Sequence, residues 1–140
     1  MAKKFYEILE HTADIRIRVR AKELKTLFSK TARAMFDIIA EKKTAPGARK
    51  EELKIVQKAQ NLEELFINWL NELLSLSSAH GLVFSDFKIK NLKENSLEAL
   101  VRGEKNKSYK INKEIKAATY HQLQIIKNGN TWKTEVIFDV

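Results

Sequence analysis

Asn128-Gly129 stands between two alternating runs, ATYHQLQIIK and TWKTEVIFDV. Asn-Gly flanked by alternation is the strongest short-range signal for a β-hairpin, because both turn positions tolerate positive φ. The end of the chain is therefore expected to be an antiparallel pair. With Asn128 and Gly129 as the two loop residues, cross-strand partners sum to 257, so Ile125 faces Trp132, His121 faces Val136 and Ala118 faces Asp139. Asp139 then lies at the end of the hairpin remote from its turn.

The upstream pattern supplies the other elements. Ile15, Ile17 and Val19 alternate with Arg16, Arg18 and Arg20, the period-2 signature of a half-buried strand with a basic outer face. In KELKTLFSKTARAMFDIIA, Leu24, Leu27, Phe28, Thr31, Met35, Ile38 and Ile39 recur at helical spacing. A second helix follows in NLEELFINWLNELLSLSSAHG, striped by Leu62, Leu65, Phe66, Trp69, Leu70, Leu73 and Leu74. Asn61 followed by Glu64 resembles a capping box, and Gly81 is the expected left-handed stop. Between the helices, Pro46 and Gly47 predict a turn before a strand at Leu53 to Lys58. LVFSDFKIK and SLEALVR alternate and precede the hairpin. The order is β-α-β-α-β-β-β-β, an α+β fold with a mixed or antiparallel sheet and two amphipathic helices packed on it.

Composition excludes several classes. At 140 residues with 44% hydrophobic and 31% charged residues, the chain is expected to be one domain, 1–140, that buries a core without metals or disulfides. Absence of cysteine removes disulfides, thiolate nucleophiles and cysteine-ligated zinc, so any metal must be held by oxygen or imidazole. No apolar run approaches a membrane span, and MAKKFYEILE lacks the apolar segment of a signal peptide, so a cytoplasmic protein without membrane attachment is expected. No G-x-x-x-x-G-K-[ST] loop occurs, so no bound nucleotide is expected.

The net charge of +8 favours polyanions or an acidic protein surface as partners. Residues 102–116 hold six basic residues against two acidic ones around Tyr109, a composition that suits either RNA backbone contact with base stacking or a solvated connection. Asp14 either forms a turn hydrogen bond or binds a ligand. His121 shares a predicted face with apolar residues and reads as a hydrogen-bonded core histidine. His80 suits the negative end of the second helix.

Four blocks in order, EHTADIRI, FINWLNELL, IKAATYHQLQI and a Trp followed by IFDV, resemble the archease family across essentially the whole chain. Glu10 replaces the aspartate of many members, and Arg16 stands where glycine is common. The resemblance implies an accessory protein of the RtcB-type RNA ligase, which joins a 2′,3′-cyclic phosphate or 3′-phosphate end to a 5′-hydroxyl in tRNA splicing and RNA repair. Such proteins assist ligase guanylylation and multiple turnover. It also implies a divalent metal, Ca²⁺ in the family with Mg²⁺ or Mn²⁺ as alternatives, held by Asp14, Asp139 and an oxygen of Val140. Hard cations want such oxygen donors, although calcium prefers six to eight of them.

Three functions follow as alternatives. The first is a ligase activator with no catalytic residues of its own. The second is a stand-alone metal-dependent phosphodiesterase using His11 or His121 as acid or base. The third is an RNA-binding or chaperone-like modulator, with tRNA or another RNA as partner.

Overall fold

The computed structural model describes residues 5–11, 14–43 and 49–140, the side chains of Glu10 and His11 excepted. The Pro46-Gly47 turn and Thr12 lie outside the described residues. The elements run β1 (Glu7–His11), β2 (Asp14–Ala21), α1 (Leu24–Ile39), β3 (Ala40–Lys42), β4 (Glu51–Lys58), α2 (Leu62–His80), β5 (Leu82–Lys93), β6 (Ser96–Lys105), a 3₁₀ turn (Asn106–Ser108), β7 (Tyr109–Ile111), β8 (Ala117–Asn128) and β9 (Thr131–Asp139). The class is α+β as expected. The sheet, however, divides into a four-stranded sheet ordered β1-β2-β9-β8, a three-stranded sheet β4-β6-β5 and a ribbon β3-β7. All described pairings are antiparallel.

Both helices pack on strands of the four-stranded and the three-stranded sheet. That placement widens the stripe legible in the sequence of α1: besides Leu27, Phe28, Thr31 and Met35, the helix buries Ala32, Ala34 and Phe36. In α2, Ile67 joins the buried Leu65, Phe66, Trp69, Leu70 and Leu73. The caps of α2 form as its sequence dictates. Asn61 Oδ1 accepts the Glu64 N–H at 2.8 Å, and Gly81 takes φ 64 in the left-handed region. Trp69 Nε1 donates to the Phe28 carbonyl at 3.0 Å, which ties the two helices together inside the core. One hydrophobic cluster includes residues of both helices and of both larger sheets.

The hairpin departs from the predicted register. Asn128 pairs with Thr131, so the loop residues are Gly129 and Asn130, not Asn128 and Gly129. Gly129 carries the positive φ of 64, and Asn130 has none. Positive φ at only the first loop position is the demand that glycine meets in a II′ hairpin. Lys127, not Ile125, therefore faces Trp132. Further along, Tyr120 to Leu123 lie opposite Val136 alone, a bulge in which Gln122 adopts φ 58. The three extra residues are an odd number, so they reverse which parity of β8 faces the core: Ile125 packs inward before the bulge and Ala118 after it. His121 falls in the bulge and is exposed, so it is not the core histidine that regular alternation implied.

Gly103 on β6 shows how closely the three-stranded sheet is packed at the irregularity between Phe84 and Asp86. A Cβ there would lie 2.5 Å from the Val83 carbonyl oxygen, which is backbone and cannot move aside cheaply. Gly103→Ala is expected to lower stability by about 2 kcal/mol. Urea unfolding should show a reduced midpoint with unchanged slope.

Candidate metal centre

The site begins with the pairing of β2 and β9, a continuous ladder from Asp14↔Asp139 to Ala21↔Trp132. Ile15, Ile17 and Val19 go to the core together with Phe138, Val136 and Thr134. The alternate residues must then face outward, which leaves Asp14 and Asp139 exposed, directly opposite each other on one face. Opposed like charges repel at this separation, and a cation between them would offset that repulsion. The sequence-predicted residues Asp14 and Asp139 are thus neighbours, and Val140 follows directly, half-buried and packed on the core. The strand partner of Asp139 on β8 is Ala117, not Ala118, because the turn lies one residue later than predicted and the bulge adds three residues to β8.

The main-chain carbonyl of Asp139 is already engaged, accepting the Lys116 N–H at 2.8 Å. Its carboxylate remains for a ligand. Among the described residues no group of three or more His, Asp or Glu side chains converges. The donors that the ladder brings together are therefore two carboxylates, a hard oxygen pair that fits a divalent cation but fills only part of a calcium coordination sphere.

Asn71, a residue with no obvious role in the sequence, holds the β8 side of this region. Its Nδ2 donates to the Ala118 carbonyl at 3.1 Å, and its Oδ1 accepts the Ala118 N–H at 2.8 Å. The side-chain amide thus replaces a neighbouring strand for one residue. Helical spacing offered no signal for it, since Asn71 sits off the apolar stripe of α2.

Two of the three arginines beyond Asp14 are committed within the sheet. Arg16 donates to Gln122 Oε1 at 2.8 Å, and Arg18 pairs with Glu135 at 3.1 Å and Glu7 at 3.5 Å. His121 lines a small cleft of about 60 Å³ with Arg16, Gln122, Glu135 and Ile137. His80 occupies the last turn of α2 as expected, while the His11 side chain lies outside the described residues. Tyr109 is buried, so it offers no ring for base stacking.

Fold and surface together define a small α+β protein that presents a cross-strand carboxylate pair on the outside of an antiparallel sheet. The model of the Archease protein family (MTH1598/TM1083) matches residues 6–140. Protein archease of Methanosarcina barkeri is 38% identical over 143 residues, covering 98% of this chain and 97% of that protein. Protein archease of Pyrococcus furiosus is 34% identical, with 96% and 98% covered. The solution structure of Methanobacterium thermoautotrophicum protein 1598 aligns with TM-score 0.73 at 25% identity, covering 97% and 99% of the two chains. The crystal structure of a Thermotoga maritima archease, described as a possible chaperone, aligns with TM-score 0.65 at 27% identity, covering 100% and 98%. The chain belongs to the archease family.

Asn71→Ala removes both bonds to Ala118 and leaves a part-buried amide and carbonyl unpaired. Stability is expected to fall by about 2 kcal/mol. Hydrogen exchange should locate the loss: protection drops first at residues 117–119 and 137–139, ahead of the β5–β6 ladder.

Proposed function

We propose that this protein activates an RtcB-type RNA ligase, assisting its guanylylation and repeated turnover through a divalent cation held by Asp14, Asp139 and Val140. The supporting observation is the register that sets Asp14 against Asp139 with Val140 beside them. Family membership supplies the expectation of an RNA-ligase partner. A cation there would supply positive charge toward a phosphoryl group, with its open positions available to ligands from a partner. Asp14 and Asp139 orient the site from two rigid strands rather than from loops, which limits the reorganisation needed on binding. The absence of a phosphate-cradling glycine loop from the sequence is consistent with the guanine nucleotide belonging to the ligase.

The chaperone-like reading has its own support in the description of the Thermotoga maritima relative as a possible chaperone. The two readings separate experimentally, because an activator must raise ligation turnover whereas a chaperone protects an aggregating client without doing so.

Turnover of limiting ligase on excess RNA is expected to rise when the protein is added, while end-labelled RNA incubated with the protein alone stays intact. Cleavage or joining that survives repurification would instead assign the chemistry to this chain. Asp14→Asn, Asp139→Asn and removal of Asp139 with Val140 should each weaken Ca²⁺ binding in calorimetry on the order of ten-fold or more, because hard-cation affinity follows carboxylate count. Stimulation should fall in parallel. Parent-like metal binding and stimulation by these variants would refute the shared site.

A further inference from the structure

The outer face of the three-stranded sheet carries a charge pattern unrelated to the carboxylate pair. Cross-strand register places Lys54 and Lys58 on β4, Lys88 and Lys93 on β5, and Arg102 on the central β6, all on that face. Their carboxylate neighbours on the same face are Glu52, Asp86 and Glu98. Each acid already has a basic partner: Glu52 with Arg102 at 3.0 Å, Asp86 with Lys50 at 2.7 Å and Glu98 with Lys54 at 3.3 Å. Lys58, Lys88 and Lys93 are exposed, and none forms an ion pair among the described residues.

The geometry of these cations is set by the sheet. Lys54 and Lys88 both flank Leu100, while Lys58 and Lys93 both flank Ser96. Four strand residues separate the two rows by about 13 Å, and two strand spacings separate the columns by about 10 Å. The result is a rectangle of four lysine positions on a rigid backbone lattice, three of them without an ion pair and the fourth, Lys54, shared with Glu98. Its floor is Val56, Leu100, Glu98 and Ser96, with no aromatic side chain. A groove of about 310 Å³ lined by Glu52, Asp86, Lys88, Leu100 and Arg102 opens at one end.

We infer that the outer face of β4-β6-β5 binds the phosphate backbone of RNA. Lysine is depleted from protein–protein interfaces, whose cores are built from aromatic, methionine and arginine anchors; this face lacks the first two, and its one arginine, Arg102, is paired with Glu52. Phosphate contact, by contrast, needs only spaced point charges. Without aromatic rings the face cannot stack bases, so its binding is to the backbone and indifferent to sequence. The Asp14–Asp139 pair belongs to the other sheet, so RNA held on this face does not require a metal.

The test is fluorescence anisotropy with a labelled RNA stem-loop and the full chain, without ligase and with chelator present. The parent should bind with strong salt dependence. Replacing Lys58, Lys88 and Lys93 together by glutamine should weaken binding at least ten-fold. The slope of log affinity against log salt, about 0.9 per neutralised phosphate, should become shallower by about 2 to 3. A charge-matched variant at Lys110, Lys127 and Lys133, which lie on the other two sheets, should retain affinity within about two-fold, as should Asp14→Asn. Unfolding midpoints identical to the parent's would confirm that the exposed lysines were removed without loss of fold. An equal loss in the two lysine variants would reduce the effect to net charge and overturn the assignment. So would absence of RNA binding by the parent, or poly-glutamate displacing the RNA at equal charge concentration, which would point to an acidic polypeptide instead.

Discussion

The pairing of β2 with β9 is the constraint on which the rest of the structure depends. It joins residues separated by 125 positions at its outermost rung, Asp14 with Asp139. Local propensity cannot supply such a contact, and its loop-closure cost must be offset by the apolar residues the ladder delivers to the core. Ile15, Ile17, Val19, Val136 and Phe138 provide that compensation, each 2% exposed or less. The same alternation that buries them turns their neighbours outward. The carboxylate pair is therefore a by-product of core packing: a one-residue slip of the ladder would bury the arginines and separate the aspartates from their shared face.

Side-chain hydrogen bonds then fix how the helices meet this ladder. Trp69 reaches the backbone of α1 through Phe28, and Asn71, two residues later on α2, reaches the backbone of β8 through Ala118. Successive helical residues point in different directions, so one short segment of α2 can serve both neighbours. The pair converts a hydrophobic sandwich, which by itself tolerates sliding, into one register. It also explains why a polar residue sits in the NWLNELL segment between apolar positions.

Much of this was legible in the sequence where the governing physics is local. The Asn61 cap, the Gly81 stop, both helical stripes and the inward residues of β2 follow from spacing and backbone preference alone. The failures within the hairpin have two causes: its turn lies one residue later than Asn128-Gly129, and β8 is not regular. Its bulge at Tyr120 to Leu123 changes the parity of the strand and puts His121 on the surface, and the displaced turn and the bulge together set Ala117 rather than Ala118 opposite Asp139. Nothing in YHQL announces a bulge, since none of these residues is glycine and the left-handed position is taken by Gln122. At the bulge Arg16 of β2 donates to the Gln122 side chain, a contact between residues remote in sequence that no local pattern announces. The placement of Asp14 beside Asp139 does not depend on β8, because it rests on which faces β2 and β9 present. The basic segment around Tyr109 was misleading for a different reason. Charge counted along the chain does not say which face it occupies, and here the ring at its centre is buried while the cations that share a face lie on β4 and β5.

The two charged surfaces differ in a way that bears on what each can bind. On the four-stranded sheet, Arg18 lies between Glu7 and Glu135, the aspartate pair stands at one end of the β2–β9 ladder, and the opposed cations Arg20 and Lys133 stand toward its other end. On the three-stranded sheet every outward carboxylate has a basic partner, and the unshared charge is lysine. Exposed ion pairs of this kind contribute little to stability, so their main effect is to cancel charge locally and leave the remainder as the field a partner meets. One sheet thus offers a compact negative site suited to a cation, and the other a spread positive lattice suited to a polyanion. Because the sheets are joined through the helices and share one core, ligands on both could be held at a fixed mutual geometry. The spacing between the two surfaces is thus set by the packed core and not by side-chain conformation.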